Sequence, residues 1–176
     1  MPGDVMPHGA MPAGAMPAGA IEVGARRAVG SDEPEVDRLA AAALDAVRGE
    51  RGGEQWLATA APGVPGSRGV PGVGDGTEWL VGCIDDVPLG VLAATPVRWP
   101  DGRLVVRVDV LWVEPDAREV GIGEALVDAA VDLAHDVGAI ALEGLALPGQ
   151  RELKNLFERF GLVARAIVVH KALPPR

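Results

Sequence analysis

The sequence predicts one mixed α/β (α+β) domain, a mainly antiparallel sheet flanked by helices, and three observations lead there. Residues 78–113 contain three strand-like runs separated by turn residues. Residues 33–47 and 121–137 carry the helical period instead. Between them, a strand, a sharp turn and a helix meet at residues 113–126. A length of 176 residues suits a single domain, and domains usually hold about 100–200 residues. The hydrophobic share of 48% supports a packed core and argues against wholesale disorder.

Residues 1–20 form an imperfect pentapeptide repeat, MPGDV MPHGA MPAGA MPAGA. Its prolines and glycines oppose helix and sheet alike, and five residues is too short a period for a solenoid. A disordered tail is expected, with the folded domain over 21–176. Ile21–Ala28 reads as a strand. Ser31 and Asp32 then offer N-caps to a helix that has Glu33, Pro34 and Glu35 in its first turn, as helix starts favour. Val36, Leu39, Ala40, Ala43, Leu44 and Val47 fall on one helical stripe. Residues 55–61 suggest a short second helix. The stretch 62–76 repeats glycine every third residue from Gly63 to Gly72. It is too brief for a collagen-like trimer and reads as a flexible Gly/Pro-rich loop.

Glu78–Ile84 and Leu89–Val97 are strand-like runs, joined by a hairpin loop of Asp85, Asp86, Val87 and Pro88. A third strand, Leu104–Val113, alternates Val106, Val108, Val110 and Trp112 against Val105, Arg107, Asp109, Leu111 and Val113. Pro115 ends it, since proline has no N–H for a ladder. Ile122, Leu126, Ala130, Leu133 and Val137 then mark the apolar stripe of a helix over 121–137. Its opposite stripe carries Glu124, Asp128, Asp132 and Asp136. Like charges four apart cost about 0.2–0.5 kcal/mol per pair, so this stripe is expected to be solvated or to meet a cation. Residues 139–147 give another strand, Leu153, Leu156, Phe157 and Phe160 a short helix, and residues 162–172 a closing strand. The predicted order is βα(α)βββαβαβ.

Sixteen basic residues against 25 acidic ones give a net charge of −9. Such a field repels phosphate backbones, so nucleic acid is not an expected partner, while cationic partners are favoured. Apolar runs such as Ala139–Leu142 are a few residues long; a membrane helix needs about 20. The start, MPGDVMPHGA, carries Asp4 and no leucine-rich block, so no secretory signal is expected. The lone Cys83 cannot form an internal disulfide. A cytoplasmic location without membrane attachment is the expectation. Three scattered histidines do not suggest a metal site. Ser31 and Ser67 are the only serines, and PGSRG is not GxSxG, so no nucleophile elbow is expected.

The chemistry-bearing segment is VEPDAREVGIGEAL, in which Arg118, Gly121 and Gly123 form RxxGxG directly ahead of a helix. Free backbone N–H groups and the positive end of the helix dipole favour an anion there, and glycine lets the backbone approach it. A diphosphate fits. The third glycine of a dinucleotide fingerprint is replaced by Leu126, which disfavours NAD. No GK[ST] is present, so a nucleotide P-loop is disfavoured too.

LWVEPDAREVGIGEALVDAAVDLA resembles the acyl-CoA motif of the GNAT superfamily of N-acyltransferases, an LxVxPxxRxxGxGxxL run. LFERFGL, residues 156–162, is similar to that superfamily's LYEKxGF segment, and WLVGCIDDVPLGVL to its second and third strands. The resemblance spans about residues 21–172 and implies a GNAT-like sheet with a splayed strand pair holding acyl-CoA. It further implies that backbone groups of Leu111, Trp112 and Val113 pair with pantetheine like an added strand. The amides of Arg118, Glu119, Val120, Gly121, Ile122 and Gly123 would hold the pyrophosphate, Arg118 would also pair with phosphate, and Asn155 would touch the CoA arm. The usual asparagine of that last helix's start aligns with Gln150.

The reaction implied is transfer of an acetyl or related acyl group from acetyl-CoA to a primary amine, by direct attack in a ternary complex. It needs an acceptor for the amine proton, donors for the developing oxyanion and a proton for the departing sulfur. Asp109 stands where some members place an acidic residue acting as base, directly or through water; equally, Arg107 two residues away makes it a candidate ion-pair partner. Glu143 is the second candidate base. Phe157 stands where many members have a tyrosine acid, and a phenyl ring donates no proton. Cys83, His135 and His170 are conceivable substitutes, with packing or surface roles the alternative. Trp56, Trp79, Trp99 and Trp112 read as core or pocket walls. The net charge favours a cationic acceptor, and a homodimer is the default. Two rival readings remain: a CoA-binding regulatory module with little catalysis, and an interaction subunit using the acidic stripe.

Overall fold

The computed structural model describes residues 21–60 and 67–173. The repeat at 1–20 and residues 61–66, which include the first part of the Gly/Pro-rich stretch, lie outside the described residues, as do the last three positions. The elements are β1 (Val23–Arg27), α1 (Glu33–Arg48), α2 (Gly53–Leu57), β2 (Glu78–Ile84), β3 (Val87–Arg98), β4 (Leu104–Val113), α3 (Ile122–Asp136), β5 (Leu142–Gly144) and α4 (Arg151–Arg159). The strands lie in one sheet in the order β1-β2-β3-β4-β5. Neighbours from β1 to β4 pair antiparallel, and β5 joins β4 in parallel. A parallel pair needs a crossover, and α3 supplies it. This is the expected mixed, mainly antiparallel sheet flanked by helices.

The two faces of the sheet separate the helices. Leu80, Leu92, Ala94, Val106 and Val108 pack with Ile122, Leu126, Ala130 and Leu133 of α3 and with Leu156 and Phe157 of α4. On the other face Val81, Cys83 and Val91 meet Val36 and Leu39 of α1, while Ala93 and Val110 meet Ala43. Fully burying one such leucine stabilises by about 1.5–3 kcal/mol. Val137, expected on the α3 stripe, lies past the helix end and is exposed. Among the described residues, no helix is long and apolar enough to cross a membrane.

Several local readings are corrected. Asp32 is the N-cap of α1, yet its carboxylate turns backwards and accepts the N–H of Val29 at 2.8 Å and both terminal nitrogens of Arg26 at 2.5 and 3.0 Å. The β2–β3 hairpin closes on Asp85 and Asp86 alone, both left-handed (φ 47° and 66°). Positive φ at both central residues matches the strand twist, so Val87 and Pro88 join β3. The short helix sits at Gly53–Leu57, ahead of its expected start at Gln55. Val70 and Val73, 1% and 4% exposed, tie the described part of the Gly/Pro-rich stretch onto the α1 face, against Ala43, Ala93 and Val110. Two ends of the acidic α3 stripe meet cations: Glu124 pairs with Arg159 at 2.5 Å and Asp136 with Arg27 at 3.5 Å.

Three further differences shape the site. Strict alternation along β4 fails at Asp109, because Ala93 pairs with Val110 but Ala94 pairs with Val108. Asp109 is thus the extra residue of a β-bulge, which re-aims the side chains beyond it. Val106 and Val108 face α3, whereas Val110 and Trp112 face α1. The strand expected over 139–147 is a ladder only at Leu142–Gly144. The closing strand expected over 162–172 is not formed; those residues carry no ladder, and past Leu162, which is half-buried against the α3-side core, they are exposed. Their β-forming composition needs a partner edge to become a strand, and within the described chain none meets them.

Candidate active site

The site grows from the end of the β4–β5 ladder. Val106 faces Leu142, Arg107 faces Glu143 and Val108 faces Gly144. The last bond between the two segments is Leu145 N–H to the Val108 carbonyl, stretched to 3.4 Å. From Asp109 onward β4 has β3 on one side and, among the described residues, no strand on the other. Leu111, Trp112 and Val113 lie along this free stretch. A backbone edge of this kind offers unpaired N–H and C=O groups to an extended ligand.

Asp109 sits at the parting point and is 7% exposed. Its Oδ1 accepts from Arg107 Nε at 2.5 Å and its Oδ2 from Thr95 Oγ1 at 2.6 Å. The Thr95 hydroxyl in turn lies 2.8 Å from that of Thr77, and Arg107 also donates to the Gly72 carbonyl at 3.1 Å. The ion pair considered from sequence therefore exists. An ionised carboxylate has about four lone-pair sites, so two are left for another donor. Thr77 and Thr95 carried no sequence signal, because only the β2–β3 and β3–β4 registers bring them beside the bulge. Glu143 is opposite Arg107 in the ladder but exposed, and among the described hydrogen bonds it has none to Asp109.

Beyond β4 the chain turns through Pro115–Ala117, then Glu119 and Gly121 adopt φ of 66° and 99° before α3 begins. Gly121 is the N-cap of α3. Among the described residues, no protein acceptor meets the amides of Glu119, Val120, Gly121, Ile122 and Gly123. A helix start leaves such groups free and adds its dipole. The arrangement fits a diphosphate. Arg118 is turned the other way: its Nε donates to the Val113 carbonyl at 3.1 Å and its guanidinium lies 4.8 Å over the Trp112 ring. The Arg118 side chain is thus engaged within the protein, while the amides of Glu119 to Gly123 stay open. The Trp112 Nε1 is buried and, among the described residues, without an acceptor.

On α4, Asn155 is exposed, and Gln150 spends its side-chain oxygen on the Leu147 amide at 2.9 Å. Phe157 is 5% exposed, and its ring presses on β5 so closely that a Cβ at Gly144 would lie 2.7 Å from it. Cys83 is buried on the α1 face, where burial pushes its thiol up, and His135 and His170 are exposed. Cys83 thus lies on the opposite face of the sheet from Phe157. Trp56, Trp79 and Trp112 wall the α1-side core, while Trp99 stacks under Arg103 at 4.7 Å.

A mixed sheet that parts beside its fourth strand, with a glycine bend and a helix N-terminus past the parting, is the arrangement that the resemblance to GNAT acyltransferases implies. The model of the GNAT acetyltransferase family matches residues 72–162, and the chain belongs to that family. No match was found among curated proteins. Among solved structures, an aminoglycoside N-acetyltransferase, AAC(6')-Iy, in complex with CoA is 16% identical, covers 90% of this chain and 99% of its own, and has a TM-score of 0.63. A ribosomal-protein-alanine N-acetyltransferase from Brucella melitensis biovar Abortus 2308 is 22% identical over 86% of this chain and 98% of its own, at a TM-score of 0.61. A transcriptional regulator from Bacillus halodurans C-125 is 19% identical over 86% and 100%, also at 0.61. These likenesses establish the fold.

Proposed function

We propose that the protein is an N-acetyltransferase that passes an acetyl group from acetyl-CoA to a primary amine by direct attack in a ternary complex. One observation carries this: the buried Asp109 carboxylate lies where β4 loses its β5 partner, on the strand that runs into the bend of free amides. The amides of Glu119, Val120, Gly121, Ile122 and Gly123 hold the diphosphate, while that of Arg118 is spent on the Pro115 carbonyl; the free edge of Leu111, Trp112 and Val113 aligns the pantetheine arm, and Asn155 touches it from α4. Acetyl-CoA supplies an activated thioester carbonyl.

Asp109 accepts the proton of the attacking amine through water, held in place by Thr95 and Arg107; Glu143 is the second candidate for that role. Phe157 has no proton to give, so the departing sulfur takes one from solvent. The net charge of −9 favours a cationic acceptor. The aminoglycoside and ribosomal-protein enzymes of like fold suggest a small polyamine and a protein N-terminus as first choices. The reading carries with it a cytoplasmic location and a single domain over 21–176.

The second reading, a CoA-binding regulatory module, draws on Phe157 and on a transcriptional regulator of like fold. Free-thiol release from acetyl-CoA across a panel of amines separates the two. Amine-dependent release supports transfer; binding of acetyl-CoA with no release over the panel supports the module.

A further inference from the structure

A proton that Asp109 takes from an amine must leave again before the next turnover, and on the loop side the way out is closed. Oδ1 carries the Arg107 Nε bond at 2.5 Å, and Gly72 of the loop lies so near that a Cβ there would stand 2.7 Å from the same oxygen. The residue as a whole is 7% exposed. Oδ2 faces the Thr95 hydroxyl at 2.6 Å, and that hydroxyl lies 2.8 Å from the Thr77 hydroxyl. Both distances are those of hydroxyl hydrogen bonds. Thr77 is half-buried and lines a hollow of about 250 Å³ on the α1 face, whose other walls include Glu33, Arg68, Glu78 and Trp79. A water takes up about 30 Å³, so this charged hollow has room for several. The Thr77 oxygen also accepts the Gly74 N–H at 3.2 Å. A hydroxyl offers one hydrogen and two lone pairs, so with Gly74 and Thr95 satisfied, one further direction is left for water.

We propose that Thr95 and Thr77 form a proton exit, carrying the amine's proton from Asp109 to the hollow between the start of α1 and the start of β2. This exit presupposes the acetyltransferase reading, with Asp109 as the base. The protonated Oδ2 of Asp109 turns its hydrogen to the Thr95 oxygen and gives it up. The O–H bond of Thr95 breaks as its own hydrogen passes to the Thr77 oxygen, and the O–H bond of Thr77 breaks as its hydrogen passes to water. Asp109 is left as a carboxylate, each hydroxyl again holds one hydrogen, and water carries the proton away; no group is oxidised or reduced. Both hydroxyls then rotate back to the order in which Thr95 donates to Asp109. Holding the carboxylate in place needs Thr95 alone. Thr77 touches no reacting group, yet it continues the chain to an open hollow.

Amine-dependent thiol release tests the exit in Thr77→Val, which keeps a similar shape and loses the hydroxyl, and in Thr77→Ser, which keeps the hydroxyl. Thr77→Val is expected to lower kcat by about 10²-fold, the low end of what proton transfer contributes, with KM for acetyl-CoA within a few-fold of wild type. Thr77→Ser is expected to turn over like wild type. N-methylmorpholine is a tertiary amine buffer with no N–H to acylate. Raising its concentration at constant pH and ionic strength should raise kcat of Thr77→Val and leave wild type unchanged, because a mobile buffer takes over the exit. A Thr77→Val kcat equal to wild type overturns the proposal. So does a loss that the buffer does not restore, which would give Thr77 a structural part only. If Thr77→Val fails to fold, the unaltered chain decides: several protons moving together make kcat fall along a curve as the deuterium fraction of the solvent rises, and a straight line overturns the exit. Wild-type release that persists in Asp109→Asn fails the underlying reading instead, since Asp109 is then not the base.

Discussion

Thr95 on β3 donates its hydroxyl hydrogen to Oδ2 of Asp109 at 2.6 Å, across the strand pair at the bulge where β4 leaves β5. A hydroxyl has one hydrogen to give, so the 2.8 Å contact with Thr77 is made by Thr77 as donor. The resulting chain, Thr77 to Thr95 to Asp109, fixes the carboxylate from behind. Arg107 fixes it from the side.

For Asp109 acting as proton acceptor, Asp109→Asn is expected to lower kcat by about 10²–10⁴-fold, the usual worth of general base catalysis. Affinity for acetyl-CoA should stay within a few-fold, because the bend of amides is elsewhere on the chain. Steady-state kinetics with a titration of acetyl-CoA checks both. Unaltered turnover removes Asp109 from the chemistry and leaves it as the ion-pair partner of Arg107.

Asp32 makes part of the stability acid-sensitive. The Arg26 guanidinium, and after it the Val29 N–H, hold its carboxyl below the ordinary value of 3.8. The folded state therefore binds fewer protons than the unfolded one, and the stabilisation is complete above 3.8. It decays as pH falls through that value towards the lower folded one. Asp32→Asn is expected to cost about 1.5–3 kcal/mol at neutral pH, the range for hydrogen bonds to a charged group. The gap between variant and wild type should close in acid; denaturant melts over a pH series measure it, and a gap that widened in acid would contradict the assignment.

At Gly121 the backbone has φ 99°, a conformation L side chains rarely adopt, while a Cβ there would find space. The strain is conformational, so Gly121→Ala is expected to cost about 1–3 kcal/mol. Relaxing the bend moves the amides that face the diphosphate, so acetyl-CoA affinity should fall by about tenfold, equal to about 1.4 kcal/mol. Calorimetric titration of the variant reads the loss.

Phe157 offers packing and no proton. Phe157→Leu is therefore expected to leave kcat within a few-fold while lowering stability by about 1 kcal/mol, as near-conservative core exchanges do. A drop of 10²-fold or more in turnover, with the melting temperature maintained, would assign the ring a part in the reaction that this account does not give it.

Sequence periodicity located both long helices because each carries one uninterrupted apolar stripe, Val36 to Val47 and Ile122 to Leu133. It located β2, β3 and β4 because local alternation and the turn at Asp85 bound them. It misread the two faces of β4, since a bulge changes alternation without leaving any residue signature at Asp109. Strand propensity over residues 162–172 is real, but a strand is a property of two backbones, and its partner is not written in the segment itself. The glycine bend was legible as RxxGxG. The direction of Arg118 was not, because its stacking on Trp112 depends on where the bulge aims that ring. Thr77 and Thr95 are ordinary residues made significant by register alone.

The central claim is that the bend at residues 118–123 and the free edge of β4 hold a CoA thioester. Thermal unfolding with and without acetyl-CoA tests it most directly. Ligand at about 100 times its dissociation constant stabilises a protein by about 2.7 kcal/mol, which for a chain of this size raises Tm by about 5–10 °C. The account predicts that rise for the wild-type chain and a smaller one for Gly121→Ala at the same ligand concentration. A wild-type Tm that does not move at millimolar acetyl-CoA would contradict it.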